Sequence, residues 1–251
     1  MVLLIGTLLS LAVAPRAEVD QAVVLFHKGV EAYQQTEYQN AVSDFESALS
    51  LGYESVELYY NLGNAYFKVN DIGKCILNYE RAKKLSPGDK DISYNLQLAQ
   101  LYVVDKIVVP PQHFIGRTIE VMAHTLSKNQ LALILVFFHI IWVSALILRM
   151  LIRRAGVKRY AKGIFATFLV LFLFTSVIFA YRLRDDLRNR QGIILAEKIE
   201  VQSSPAGDAT EVFALHQGAK VNLHGQSGDY YQISLPDGKV GWLLRSSLEI
   251  I

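Results

Sequence analysis

Six histidines and one cysteine are the residues of this 251-residue chain best suited to metal binding or nucleophilic catalysis. Their spacing supports neither. His27, His113, His124, His139, His216 and His224 are scattered, without the paired intervals that gather ligands around a metal ion. Cys75 has no second cysteine to pair with, and it stands among small apolar positions where a buried thiol behaves as a small hydrophobe. No glycine-rich phosphate loop and no nucleophile elbow occurs. The expectation is a protein that is not an enzyme, with no cofactor and no metal site. The chain instead carries recognition chemistry, in rings and amides recurring at fixed spacing: Phe26, Tyr33, Tyr60, Asn61, Asn64, Phe67, Lys68, Tyr94 and Asn95. Rings give contact area to an extended peptide, and amides hold its main-chain polar groups.

These residues need a scaffold that repeats. Phe26-His-Lys-Gly29-Val-Glu-Ala32-Tyr33 superimposes on Tyr60-Asn-Leu-Gly63-Asn-Ala-Tyr66-Phe67 at an offset of 34. The same offset relates Ala41 to Cys75, Phe45 to Tyr79 and Ala48 to Ala82, and Pro87 closes the second unit. Small residues at this period resemble the tetratricopeptide (TPR) pattern of stacked helix pairs. Gly29 and Gly63 let helix A approach helix B, Ala41, Ala48 and Ala82 are the matching small contacts, and Phe45 and Tyr79 fill the space between hairpins. A further A-type helix over Asp91–Val104 caps the stack, giving a domain over residues 18–104. The resemblance implies a peptide-binding groove lined by the nine rings, amides and lysine above. The same aromatics would equally serve to pack against the chain's own linker. Asn61 matches the carboxylate-clamp TPRs, but Phe26, Val30, Asp91 and Asn95 depart from them, so a terminal carboxylate is not the expected ligand.

Two uncharged apolar runs follow, Asn129–Leu148 and Gly163–Tyr181. Each is long enough as a helix to cross the roughly 30 Å hydrocarbon core of a bilayer. The intervening segment 149–162 holds six basic residues and no acid, the mark of a loop kept in the cytoplasm. A transmembrane hairpin over 129–181 then places both flanking parts outside the cytoplasm. Buried helices of a soluble core are the alternative. His139 is the one ionisable residue within the first run, and with no carboxylate in either run a neutral histidine bridging the pair is expected rather than a proton relay. The first residues are apolar over a signal-peptide length, with small residues at Ser10, Ala12 and Ala14, so 1–17 is read as a signal peptide. A basic leading segment is missing, and a buried N-terminal helix is the alternative. Pro110-Pro111 ends the solenoid, and Phe114, Ile115, Ile119, Met122 and Leu126 recur at helical spacing as an interfacial helix within a 105–128 linker.

Charge follows the same division. Residues 18–106 carry 13 acids against 8 bases and residues 192–251 carry 7 against 4, whereas 149–190 carries 10 bases against 2 acids. Basic residues thus gather where anionic headgroups lie, and the acidic flanks exclude nucleic acid as a partner.

A connector over 182–195 leads to short alternating strands at Ile199–Gln202, Glu211–Leu215, Lys220–His224, Tyr230–Leu235 and Lys239–Leu244, separated by turn residues. Gly218, Gly228-Asp-Tyr-Tyr231, Leu235-Pro-Asp-Gly238 and Gly241-Trp242 together resemble the bacterial SH3-like (SH3b) domain, which implies a small all-β barrel over 196–251. Such barrels bind peptides or wall glycopeptides. Tyr230, Tyr231 and Trp242 are candidates for that contact, and equally for the barrel core.

The whole order is similar to the BatE proteins of bacterial aerotolerance (Bat) operons. The closest stretches are Tyr60–Lys68, Ile76–Ala82, Asp91–Ala99 and Asp105-Lys-Ile107. That resemblance implies an inner-membrane protein with its TPR and SH3b domains outside the cytoplasm, working with von Willebrand-factor-A membrane proteins and a MoxR-type ATPase in envelope stress tolerance. The expected fold is multidomain: an all-α TPR solenoid, a two-helix transmembrane hairpin and an SH3-like barrel. The expected role is a membrane-anchored scaffold for protein partners. The alternative is an envelope sensor whose barrel binds peptidoglycan.

Overall fold

The computed structural model describes residues 16–107, 125–151, 155–188, 190–206 and 209–251. The signal peptide read over 1–17 lies outside them except for Arg16 and Ala17, as do Pro110-Pro111 and the interfacial positions from Phe114 to Met122.

Five helices open the chain: α1 (Arg16–Gln34), α2 (Tyr38–Ser50), α3 (Val56–Lys68), α4 (Ile72–Leu85) and α5 (Lys90–Gln100). Their boundaries repeat with the sequence. Thr36 and Asn70, 34 apart, end α1 and α3 in the left-handed region with φ of 64° and 63°. Ser55 and Asp89, again 34 apart, cap α3 and α5 by accepting hydrogen bonds from Leu58 N–H and from the Asp91 and Ile92 N–H groups. Helices α1 and α2 pair, as do α3 and α4, and α5 covers the open side of α4. The glycines explain the closeness. A Cβ on Gly29 would stand 2.7 Å from the Phe45 ring, and one on Gly63 would stand 2.6 Å from the Tyr79 ring. Phe45 and Tyr79 thus pack closely on the glycine of their own hairpin, within the core shared by both hairpins.

Helices α6 (Lys128–Leu151) and α7 (Ala155–Arg188) form an antiparallel pair, and both are long and apolar enough to cross a membrane. Phe138 meets Phe168 and Trp142 meets Phe165 at ring separations of 5.8 and 5.9 Å. His139 faces the Phe172 ring at 5.4 Å, so its contact across the pair is aromatic. Of the expected loop 149–162, Arg149 lies in the last turn of α6 and Lys158, Arg159 and Lys162 lie in the first turns of α7, while Arg153 and Arg154 lie outside the described residues.

The remaining strands are β1 (Arg190–Ile194), β2 (Lys198–Gln202), β3 (Glu211–His216), β4 (Lys220–Ser227), β5 (Tyr230–Ser234), β6 (Val240–Leu244) and β7 (Leu248–Ile250). They form one antiparallel sheet in the order β3-β2-β6-β5-β4-β1-β7. The expected barrel is not closed: β3 and β7 are the two edges. The sheet also takes in Arg190–Ile194, which periodicity alone left in the connector, and only Asn189 separates that strand from α7.

The sheet packs directly on the solenoid. Ile193 belongs to the solenoid core with Ile72, Ile76 and Val103, and Ile107 packs into the sheet core with Ile194 and Leu215. Gly218, at φ 86°, brings the β3–β4 turn so near that a Cβ there would stand 2.9 Å from both Ile76 Cδ1 and Val103 Cγ2. Around this apolar centre Arg81 donates to Glu249 at 2.7 Å and to the Ile250 carbonyl at 3.0 Å, and Lys220 donates to Glu80 at 3.0 Å. Asp105 accepts from the His216 backbone N–H at 2.6 Å and lies 3.1 Å from its Nδ1.

Candidate protein-binding groove

The A-type helices α1, α3 and α5 stand side by side and carry the nine residues expected to line a groove. The structure joins three of them directly. Asn64 Oδ1 accepts from the Tyr79 hydroxyl at 2.6 Å and from the Asn95 amide at 3.2 Å, and Asn95 also donates to the Tyr60 hydroxyl at 2.8 Å. The repeat register causes this. Asn95 occupies on α5 the place of Asn61 on α3, and Asn64 sits one turn beyond Tyr60 on the same face.

The other positions extend the surface in both directions. Tyr33 stacks edge-on against Tyr38 at 5.2 Å, with Lys68 Nζ 5.9 Å from the Tyr38 ring centre. Burial first, and then the neighbouring phenols of Tyr38 and Tyr60, raise the Tyr33 pKa, so three hydroxyls share this part of the groove. Phe67 meets Tyr102 edge-on at 5.4 Å, while Phe26 packs between Phe45 and Tyr53. Asn61 is half-buried, and Tyr94 is open at 67% exposed. Phe26 is thus mainly core, whereas Tyr94 and Lys68 are open to a partner.

Sequence reasoning missed Tyr38, Tyr79 and Tyr102. Tyr79 was assigned to packing because it lies on a B helix. Its ring does pack, 2% exposed, but its hydroxyl reaches through to Asn64. The signal was the Phe45-to-Tyr79 exchange between repeats, which adds a hydroxyl at a buried place.

Cys75 lies one turn before Tyr79 on α4 and is fully buried. Burial pushes its thiol up to about 12, so at neutral pH it is an unionised packing group. Among the described residues, no cluster of His, Cys, Asp and Glu is placed to hold a metal ion.

The second set of candidates divides between the two faces of the sheet. Tyr231 pairs with Leu243, lies in the sheet core at 8% exposed, and carries the Arg245 guanidinium over its ring. Tyr230 and Trp242 share the opposite face, paired with Leu244 and Gln232. Tyr230 there borders an open cleft with Ile199, Glu200 and Leu243.

An all-α stack of helix pairs with a ring-and-amide face suggests a protein-interaction scaffold. Residues 56–89 match the family model for the Tetratricopeptide repeat, which covers α3, α4 and the turn into α5. Such repeats are typically non-catalytic protein-binding modules. No curated protein matches the chain.

Proposed function

We propose that this protein is a membrane-anchored scaffold that holds an extended segment of a partner protein across α1, α3 and α5. The observation that carries this reading is the hydrogen-bonded set Tyr60, Asn64, Tyr79 and Asn95. It fixes the amides before a ligand arrives, which lowers the ordering cost of binding. Tyr94, exposed beside them, supplies an aromatic anchor.

Membrane anchoring is supported by what α6 and α7 leave uncovered. Leu133, Phe137 and Ile140 on α6 and Val170, Leu173 and Val177 on α7 are all more than half exposed. So large an apolar surface is unfavourable in water and suits a lipid environment. The solenoid and the sheet share a core although both apolar helices separate them in sequence. They therefore occupy one side of the membrane, and the helices cross as a hairpin. The six bases of 149–162 support a reading with the turn in the cytoplasm and the folded body outside it. With the similarity to BatE proteins, this reading makes von Willebrand-factor-A membrane proteins and a MoxR-linked system the partner class, in envelope stress tolerance. The SH3b-like sheet has Tyr230 and Trp242 as its own candidate contacts with wall peptides.

The test is site-specific photocrosslinking in intact cells. A photoreactive residue at Tyr94 should capture a discrete protein, and one at Lys83, on the B helix α4, should not. Capture that survives Asn64→Ala with Tyr60→Ala would remove the groove as the binding surface. A reporter active only outside the cytoplasm should work after Ile251 and fail within 153–162; the reverse pattern would overturn the placement.

A further inference from the structure

Helix α4 is held from two directions. One side meets the sheet: Ile72 and Ile76 pack with Ile193, and a Cβ on Gly73 would stand 3.1 Å from the Ile194 carbonyl oxygen. The other side meets the groove, where Tyr79 carries Asn64 and lies against the Tyr60 ring at 5.9 Å. Two helix pairs and a capping helix are few for a free-standing solenoid, because each repeat relies on neighbours to cover its apolar face. Here α4 has β1 and the β3–β4 turn as neighbours in addition to α5.

We infer that the sheet and the solenoid form one cooperative unit, in which the sheet fixes α4 and through it the groove, and into which the membrane hairpin is inserted. Both ends of the hairpin lead into the same junction. Asp105 and Ile107 hold the outgoing chain on the sheet, and β1 holds the returning chain one residue beyond α7. The contacts at this junction combine a closed apolar centre with ion pairs from Arg81 and Lys220 at its rim, as in a permanent interface. The consequence for binding rests on the groove reading: whatever loosens the sheet loosens the ring-and-amide face.

Amide hydrogen exchange on the full chain in detergent micelles tests this. In wild type under increasing urea, the slowest amides of α4 and β1 should converge on one exchange curve. The Gly241→Leu substitution strikes the sheet at β6, where even a Cβ would stand 2.4 Å from Val201 Cγ1. It should speed exchange in β1 and α4 by the same factor, tenfold or more, with α3 following. Separate wild-type curves, or a Gly241→Leu sheet that exchanges freely while α4 keeps wild-type protection, would overturn the inference. If Gly241→Leu leaves the sheet intact, the wild-type curves decide alone. The readout needs no ligand, so its failure leaves the groove proposal standing, and loss of the Tyr94 crosslink leaves this one standing.

Discussion

Ile193 and Ile194 are adjacent, both fully buried, and belong to different cores. Alternation along β1 turns the first toward Ile76 on α4 and the second toward Val221 and Leu248 in the sheet. A strand buried on both faces is ordinary inside an α/β sandwich. Here it is the seam between a helical repeat and a sheet, reached through the apolar pair α6 and α7.

Truncating either isoleucine should be costly. Ile193→Ala and Ile194→Ala should each lower stability by about 2–5 kcal/mol, the usual range for emptying a packed site. Urea titration of the full chain in micelles, followed by circular dichroism, reads the loss. A cost below about 1 kcal/mol at Ile193 would mean that the solenoid core closes without it.

The groove network separates residues that look alike in sequence. Asn64→Ala removes the acceptor of two hydrogen bonds and leaves the Tyr79 hydroxyl, inside a nearly buried residue, without its partner. The expected cost is about 1–3 kcal/mol. Tyr94→Ala, at an exposed position, should stay within about 0.5 kcal/mol. Thermal melts of both variants beside wild type give the comparison, and equal shifts would contradict the network.

Alkaline pH should weaken the fold through α3 and α4. The Cys75 thiol is raised from 9.0 to about 12 by burial, and burial also raises Tyr66 and Tyr79. Unfolding lets such groups ionise at their ordinary values, so their contribution is whole below about pH 9 and is lost as pH climbs toward 12. Urea midpoints should therefore fall between pH 8 and pH 10.5, and less steeply in Cys75→Ala. At pH 8, iodoacetamide should label Cys75 only after denaturation.

Asp105 ties the end of the solenoid to β3 through two contacts with His216, one to the backbone and one to the ring. Asp105→Ala should cost about 1–3 kcal/mol by leaving a part-buried N–H without its acceptor. Asp105→Asn, which keeps one acceptor oxygen, should cost less. Exchange at the His216 amide reports the change directly.

Much of this architecture was legible because its causes are local. The 34-residue offset marks where the two helices of each hairpin touch, since Gly29 and Gly63 admit a ring at the same place in each. Alternation located five strands, and an uncharged run sufficed for α6 and α7. Long-range relationships left no such trace. Ile193 and Ile194 read as the end of a connector, because a strand buried on both faces has no alternation to detect. Asp105 stood out only as part of a familiar stretch, and its role depends on His216, 111 residues further on. Register put Tyr60, Asn64 and Asn95 on neighbouring A-type helices, but that they bond to one another could not be read from their types.

The seam at β1 also fixes an order of events during synthesis. Translation delivers α1–α5 first, at a time when Ile193 and the β3–β4 turn do not yet exist. Until the segment beyond Arg190 has been made, Ile72, Ile76 and Val103 lack the cover that Ile193 and the β3–β4 turn supply. A newly made solenoid must wait in that half-finished form, and over that interval it is a substrate for chaperones and proteases.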